Sequence, residues 1–114
     1  MRQATESKYH SRKTTVDGIV FDSRKEAARY RELKLLERAR EINELKLQEK
    51  YMLIPAQYRD GVCVERECAY IADFDYIDKN GVHVVEDTKG VRTKEYRIKR
   101  KLMLYIFGIR ITEI

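Results

Sequence analysis

The stretch Asp73–Lys89, DFDYIDKNGVHVVEDTK, limits this chain's fold more than any other. It reads as two β-strands joined by a tight turn at Asn80-Gly81. Asp73 sits on the first strand, and Asp87 and Lys89 sit two positions apart on the second. Strand side chains alternate with period two, so Asp87 and Lys89 point the same way. Register decides whether Asp73 joins them. An Asn-Gly loop of two residues, the commoner choice for this dipeptide, pairs Lys79 with Val82 and sets Asp73 against Thr88, with the acids on opposite faces. A loop of three, Lys79-Asn80-Gly81 with a left-handed glycine, pairs Asp78 with Val82. Asp73 then lies opposite Asp87, and Asp75 opposite Val85. The longer loop is the expected one, because only it builds a site. Like charges opposed across a sheet are destabilising, and a bound divalent cation would remove that cost.

The 114 residues suit a single domain with a modest core. At 43% hydrophobic and 38% charged, the chain is globular with a heavily charged surface. A formal net charge of +5 favours a polyanionic partner, nucleic acid foremost. Cys63 and Cys68 lack Cys-x-x-Cys spacing, so reduced thiols in a cytoplasmic compartment are expected, both packing within a strand. No apolar run is long enough to span a membrane, and no signal peptide is expected. Residues 1–13 form a polar, basic arm with Lys8, Arg12 and Lys13, open to two readings: a frayed terminus or contact with a DNA backbone. Residues 14–114 form the domain.

Along the domain, Asp17-Gly18 within Thr14–Phe21 predicts a small hairpin. Ser23 and Glu26 then make a capping box for a helix running to about Ala39. On a 3.6-residue period Glu26 shares the inner side with Tyr30 and Leu33. Glu26 either completes the cap or presents an acid towards the sheet. A strand is expected within Glu44–Ala56, with Gln48 facing the site or solvent. Asp60-Gly61 marks another turn, and Val62–Ile77 reads as one long, bent strand of an antiparallel sheet. Thr93 caps a second helix, Lys94–Phe107, stopped by Gly108, with an expected buried stripe of Ile98, Leu102, Tyr105 and Ile106. Arg92, Lys94, Arg97, Lys99, Arg100 and Lys101 surround a lone acid, Glu95, and can grip a phosphate backbone. Ile109–Ile114 supplies a last strand.

These residue types suit phosphodiester hydrolysis. Asp73 and Asp87, with the Thr88 carbonyl, offer the hard oxygens that hold Mg²⁺ while leaving it partly hydrated. Lys89 can orient the attacking water or neutralise charge developing on phosphorus. Glu26 can reach the ion through water or serve a second ion. His10 and His83 are too few and too scattered for a zinc cage. There is no phosphate-cradling glycine loop and no serine nucleophile motif.

The ordered set of helix acid, strand, strand with Asp73, strand with Asp87 and Lys89, basic helix and strand resembles the PD-(D/E)XK nuclease superfamily. It is most similar to a small phage and prophage family there whose function is unknown. The residues carrying the resemblance are Lys8-Tyr9, Val16-Asp17-Gly18, Phe21-Asp22-Ser23, Glu26-Ala27, Leu33, Gln48, Tyr70–Phe74, Val85–Gly90, Thr93, Tyr96 and Lys99. Ala72 stands where the superfamily often has proline. The resemblance implies a mixed α/β (α+β) fold, a restriction-endonuclease-like αβββαβ core with an added N-terminal β-hairpin. It also implies catalytic roles for Glu26, Asp73, Asp87 and Lys89, and supporting roles for Gln48, Asp75 and Glu86, with Glu86 pointing away from Asp87. The implied activity is that of a Mg²⁺-dependent DNA endonuclease, Mn²⁺ substituting, acting as a homodimer on branched DNA such as a Holliday junction. A restriction-like or nicking nuclease on duplex DNA, and an inactive DNA-binding module of the same fold, are the alternatives.

Overall fold

Local chain chemistry starts and stops the long elements of the computed structural model, which describes residues 12–88, 90 and 92–114. Strands β1 (Thr14–Val16) and β2 (Ile19–Phe21) pair across Asp17 and Gly18, both at positive φ, as the tightest hairpin turns require. Helix α1 (Arg24–Arg38) begins where the Ser23 hydroxyl accepts from the Glu26 N–H at 3.1 Å. It buries Glu26, Ala27, Tyr30 and Leu33, the inner side expected from the period. The β1–β2 hairpin is pinned to it by the Phe21–Tyr30 ring contact at 5.0 Å and by Tyr30 donating to Asp17 at 2.9 Å.

Strand β3 (Ile42–Ile54) ends before Pro55, and β4 (Gln57–Arg59) turns through Asp60-Gly61 into β5 (Val62–Glu65). The expected single strand from Val62 to Ile77 is in fact two. It breaks at Arg66-Glu67, so β5 pairs with β4 while β6 (Cys68–Asp78) joins the main sheet. Cys63 on β5 is exposed rather than packed, and Cys68 lies half-buried against the core; both are free thiols. After β7 (His83–Asp87), helix α2 (Lys94–Phe107) is capped by the Thr93 hydroxyl and ended by Gly108 at φ 69°, as expected. Strand β8 is shorter than expected, only Thr112–Glu113. It runs parallel to β7, so the sheet is not wholly antiparallel.

The main sheet has the order β3-β6-β7-β8, and the fold is mixed α+β with mostly antiparallel strands. Leaving out the β1–β2 and β4–β5 hairpins, the chain order is α1, β3, β6, β7, α2, β8. Two clusters sandwich the sheet. Leu33, Tyr30, Phe74 and Tyr76 centre the one under α1, and Tyr70, Val85, Tyr96 and Met103 the one under α2. Each large apolar side chain fully buried in them contributes roughly 2 kcal/mol. Among the described residues no helix is long and apolar enough to cross a membrane.

One irregularity organises this arrangement. On β3, Leu45 and Leu47 pack in the α1 cluster, yet Tyr51 and Leu53, of the same parity, pack with the α2 cluster. On β6, Phe74 and Tyr76 belong to the first cluster, while Tyr70 and Ala72 belong to the second. Regular strands cannot do this, because residues two apart share a face. The switch falls at Gln48, which is left-handed at φ 54°. Pairs Leu47↔Phe74 and Glu49↔Ala72 flank it, so Gln48 stands opposite Asp73.

Candidate active site

The central loop has the longer form. The Asp78 N–H donates to the Val82 carbonyl at 2.8 Å, the Gly81 N–H donates to the Asp78 carbonyl at 2.9 Å, and Gly81 is left-handed at φ 79°. The Asp78 carboxylate caps the loop by accepting from the Asn80 and Val82 N–H groups. That loop sets Asp75↔Val85 and Phe74↔Glu86, the last recorded pair, and counting one position on from it sets Asp73 against Asp87.

Each acid is held by its own partners. Asp73 accepts from both the Thr88 N–H and the Thr88 hydroxyl, each at 2.8 Å. Asp87 is 1% exposed and accepts from the Tyr70 hydroxyl at 2.7 Å. Burial, and then the Asp87 charge, push the Tyr70 hydroxyl well above the usual tyrosine range, so it stays a donor. The Asp87 carbonyl accepts from the Ile114 N–H at 2.9 Å, which ties the end of β7 to the C-terminus. Glu26, buried on α1, accepts from the Gln48 side-chain amide at 3.2 Å. Glu26 therefore does more than complete a cap. Through its bond to Gln48 it adjoins the β3 position that flanking pairs set against Asp73, so Gln48, Asp73 and Asp87 fall at matching register positions of β3, β6 and β7.

A left-handed conformation costs a non-glycine residue roughly 1 kcal/mol, and Gln48 bears that cost where its amide engages Glu26. Gln48→Gly is expected to leave stability unchanged or raise it, whereas Gln48→Val is expected to lose about 2 kcal/mol, read from urea unfolding midpoints. Equal midpoints for the two variants would remove the argument for strain at this position.

The remaining expected residues divide clearly. Glu86 points away from Asp87, as alternation requires. It is 1% exposed, paired with Arg29 at 2.6 and 2.9 Å and bonded by the Tyr76 hydroxyl. Asp75 has one oxygen accepting from Tyr51 and the other 2.8 Å from His83 Nε2, so both are committed elsewhere. Thr88 supplies its N–H and hydroxyl to Asp73, two donors that the expectation of a carbonyl ligand did not include. Lys89 and Lys8 lie outside the described residues. Arg12 and Lys13 open the described chain and are exposed.

The basic residues of α2 separate into two groups. Arg92 and Arg100 each meet Glu113 at 3.0 Å, and Lys99 meets Glu95 at 3.0 Å. The Tyr96 hydroxyl also donates to Glu113, and these donors hold the Glu113 carboxyl down at about 2. Lys94, Arg97 and Lys101 share one helical side, are exposed, and make no ion pair among the described residues.

Among the described residues no three His, Cys, Asp or Glu side chains form a ready-made cation cage. The donor chemistry is nonetheless that of a hard ion: carboxylates and peptide oxygen, with His83 taken by Asp75 and both thiols far along the sequence from Asp87. Mg²⁺ is commonly held by one or two carboxylates and water, which this pair of acids matches.

Compared with protein families, residues 6–112 match one described as "Protein of unknown function (DUF1064)". No curated protein and no solved structure matches the chain.

Proposed function

The chain belongs to the DUF1064 family, a description that assigns no activity, and from its site we propose a Mg²⁺-dependent DNA endonuclease. One observation carries the reading: the Phe74↔Glu86 register, which continued by one position sets Asp73 against Asp87 on neighbouring strands, with Gln48, bonded to Glu26, at the matching position of β3. Carboxylates at opposed positions of neighbouring strands repel, and a bound cation would relieve that cost. The order α1, β3, β6, β7, α2, β8 also fits the resemblance to PD-(D/E)XK nucleases.

Asp73, Asp87 and the Thr88 carbonyl would hold the ion, with Glu26 approaching through water. When bound, Mg²⁺ polarises the phosphate and makes coordinated water more acidic. The chain's own residues supply the rest. Tyr70 and Thr88 fix the two carboxylates in place. Lys94, Arg97 and Lys101 attract the phosphate backbone, and Lys89, two residues after Asp87, brings a cation to the reacting phosphate. The substrate we propose is branched DNA cut by a homodimer, by analogy with the small junction-resolving members of the superfamily that the chain resembles.

Incubation with four-way junction, flap, single-stranded and linear DNA, with and without Mg²⁺ or Mn²⁺, tests this. Metal-dependent cutting of the junction in preference to its linear arms is expected. Equal cutting of all duplexes would favour a nicking or restriction-like enzyme, and binding without cutting an inactive module. Arg97→Ala with Lys101→Ala is expected to weaken binding to every DNA alike and to flatten the slope of log K against log[salt] by about 2. An unchanged slope would take α2 off the DNA-facing surface.

A further inference from the structure

Helix α2 packs on the sheet through Tyr96 and Met103, not through the expected stripe, and Ile98, Tyr105 and Ile106 stay exposed. That rotation turns Tyr96 and Arg100, one helical turn apart, towards β8, where both meet Glu113. Three donors converge on this carboxylate: the Tyr96 hydroxyl at 2.7 Å, Arg100 Nη1 at 3.0 Å and Arg92 Nε at 3.0 Å. Glu113 stands on β8 at the position paired with Asp87, so the cluster begins one strand spacing, ~5 Å, from the candidate site. The rings of Tyr70, bonded to Asp87, and Tyr96, bonded to Glu113, lie 6.4 Å apart.

The pairing is unequal. Two guanidinium groups share one carboxylate, which leaves one positive charge over. A clasp that only fixed β8 to α2 would be satisfied by the Tyr96 hydroxyl and a single arginine. Arg92 and Arg100 each give Glu113 one N–H, and their other N–H groups have no acceptor among the described residues. Their side chains are 33% and 37% exposed, so those donors reach the surface. The Tyr96 ring steadies Arg100 from below, 5.9 Å from the guanidinium carbon to the ring centroid. We propose that Glu113 is a positioning residue, which holds Arg92 and Arg100 as a preset clamp for one DNA phosphate, the neighbour of the phosphate that reacts. Guanidinium groups held in place bind a phosphate through paired N–H groups and lose less side-chain freedom in doing so. Lys94, Arg97 and Lys101 attract the backbone without such fixing, and the clamp sets its position. The clamp rests on the nuclease reading only for which phosphate it holds; its contact with DNA is tested without metal or cleavage.

Fluorescence anisotropy of the full chain on labelled four-way junction DNA, in EDTA and across a salt series, reads the contact. Arg92→Ala with Arg100→Ala is expected to weaken binding about tenfold and to flatten the slope of log K against log[salt] by about 1, the loss of one phosphate. Glu113→Gln removes an acid, so charge alone would tighten binding; released guanidinium groups should instead weaken it by roughly threefold to tenfold. In the Glu113→Gln background the two arginine substitutions should cost little more, because the three residues act as a unit. Tighter binding by Glu113→Gln, or arginine losses undiminished in its presence, would overturn the proposal, as would a wild-type chain that binds no DNA. Melting temperatures separate loss of the clamp from loss of the fold. If Glu113→Gln unfolds, the arginine double variant decides alone, and an unchanged slope overturns the clamp. Mg²⁺-dependent cleavage by the same preparations keeps the two readings apart. The expected binding losses without any cleavage would sink the nuclease reading and keep the clamp; cleavage with binding unaltered in the variants would do the reverse.

Discussion

Asp87→Asn is expected to lower Mg²⁺-dependent cleavage by roughly a thousandfold, about 4 kcal/mol of transition-state stabilisation, while melting no lower than wild type. The two effects come from one geometry. Asp87 is almost fully buried, accepts from Tyr70 and lies one position beyond the Phe74↔Glu86 pair, and on the proposed reading its charge is kept for a cation rather than for the fold. Asparagine keeps the shape and can still accept from the Tyr70 hydroxyl, but offers no anionic ligand. Activity and stability should therefore move apart, as they do where a site is maintained against the fold's own preference. Lys89→Ala is expected to lose most turnover while keeping DNA affinity. Cleavage rates and thermal melts of the same preparations check both. A variant that cleaves normally but melts well below wild type would show Asp87 to be a structural carboxylate.

The neighbouring acid is expected to behave in the opposite way. Glu86→Ala should lose about 3 kcal/mol of stability, lowering the melting temperature by more than roughly 10 °C. Glu86 is 1% exposed, and its carboxylate gathers the Arg29 guanidinium and the Tyr76 hydroxyl from α1 and β6. The bond to Glu86 holds Arg29 protonated against the cost of its burial. Burial, and then the same carboxylate, push the Tyr76 hydroxyl up to about 12. Deleting Glu86 strands a half-buried cation and a buried hydroxyl without their acceptor, which costs more than the pair was worth. Arg29→Met together with Glu86→Leu should recover most of the loss, because neither charge then remains to be satisfied. Denaturant titration of the single and double variants decides it. A single variant as stable as wild type would mean that water serves Arg29 as well as the carboxylate does.

What the sequence made legible follows how local its causes are. Thr93 and Gly108 bound α2 correctly because a cap and a left-handed stop act within one turn. The register around Asn80-Gly81 was legible because a short loop fixes every pair behind it. The break at Arg66-Glu67 carries no glycine or proline, so nothing local announces it. The burial of α2 was misread because its apolar residues form two stripes. Local pattern cannot choose between them; contact of Tyr96 and Met103 with the sheet does. Within the site, the facing acids were legible and their holders were not. Tyr70 reaches Asp87 only because β3 and β6 change sides between the clusters, and glutamine at Gln48 gives no warning of a left-handed backbone.

That change of sides makes the length of β3 a fixed quantity. Deleting Gln48 would join Leu47 directly to Glu49, and the reversal that now sends Tyr51 and Leu53 beneath α2 would lose its pivot. The amide beside Glu26 would go in the same step. Substitutions can accumulate on either side of this point, but insertions and deletions cannot, so the spacing from Leu47 to Tyr51 should be the least elastic interval in the chain.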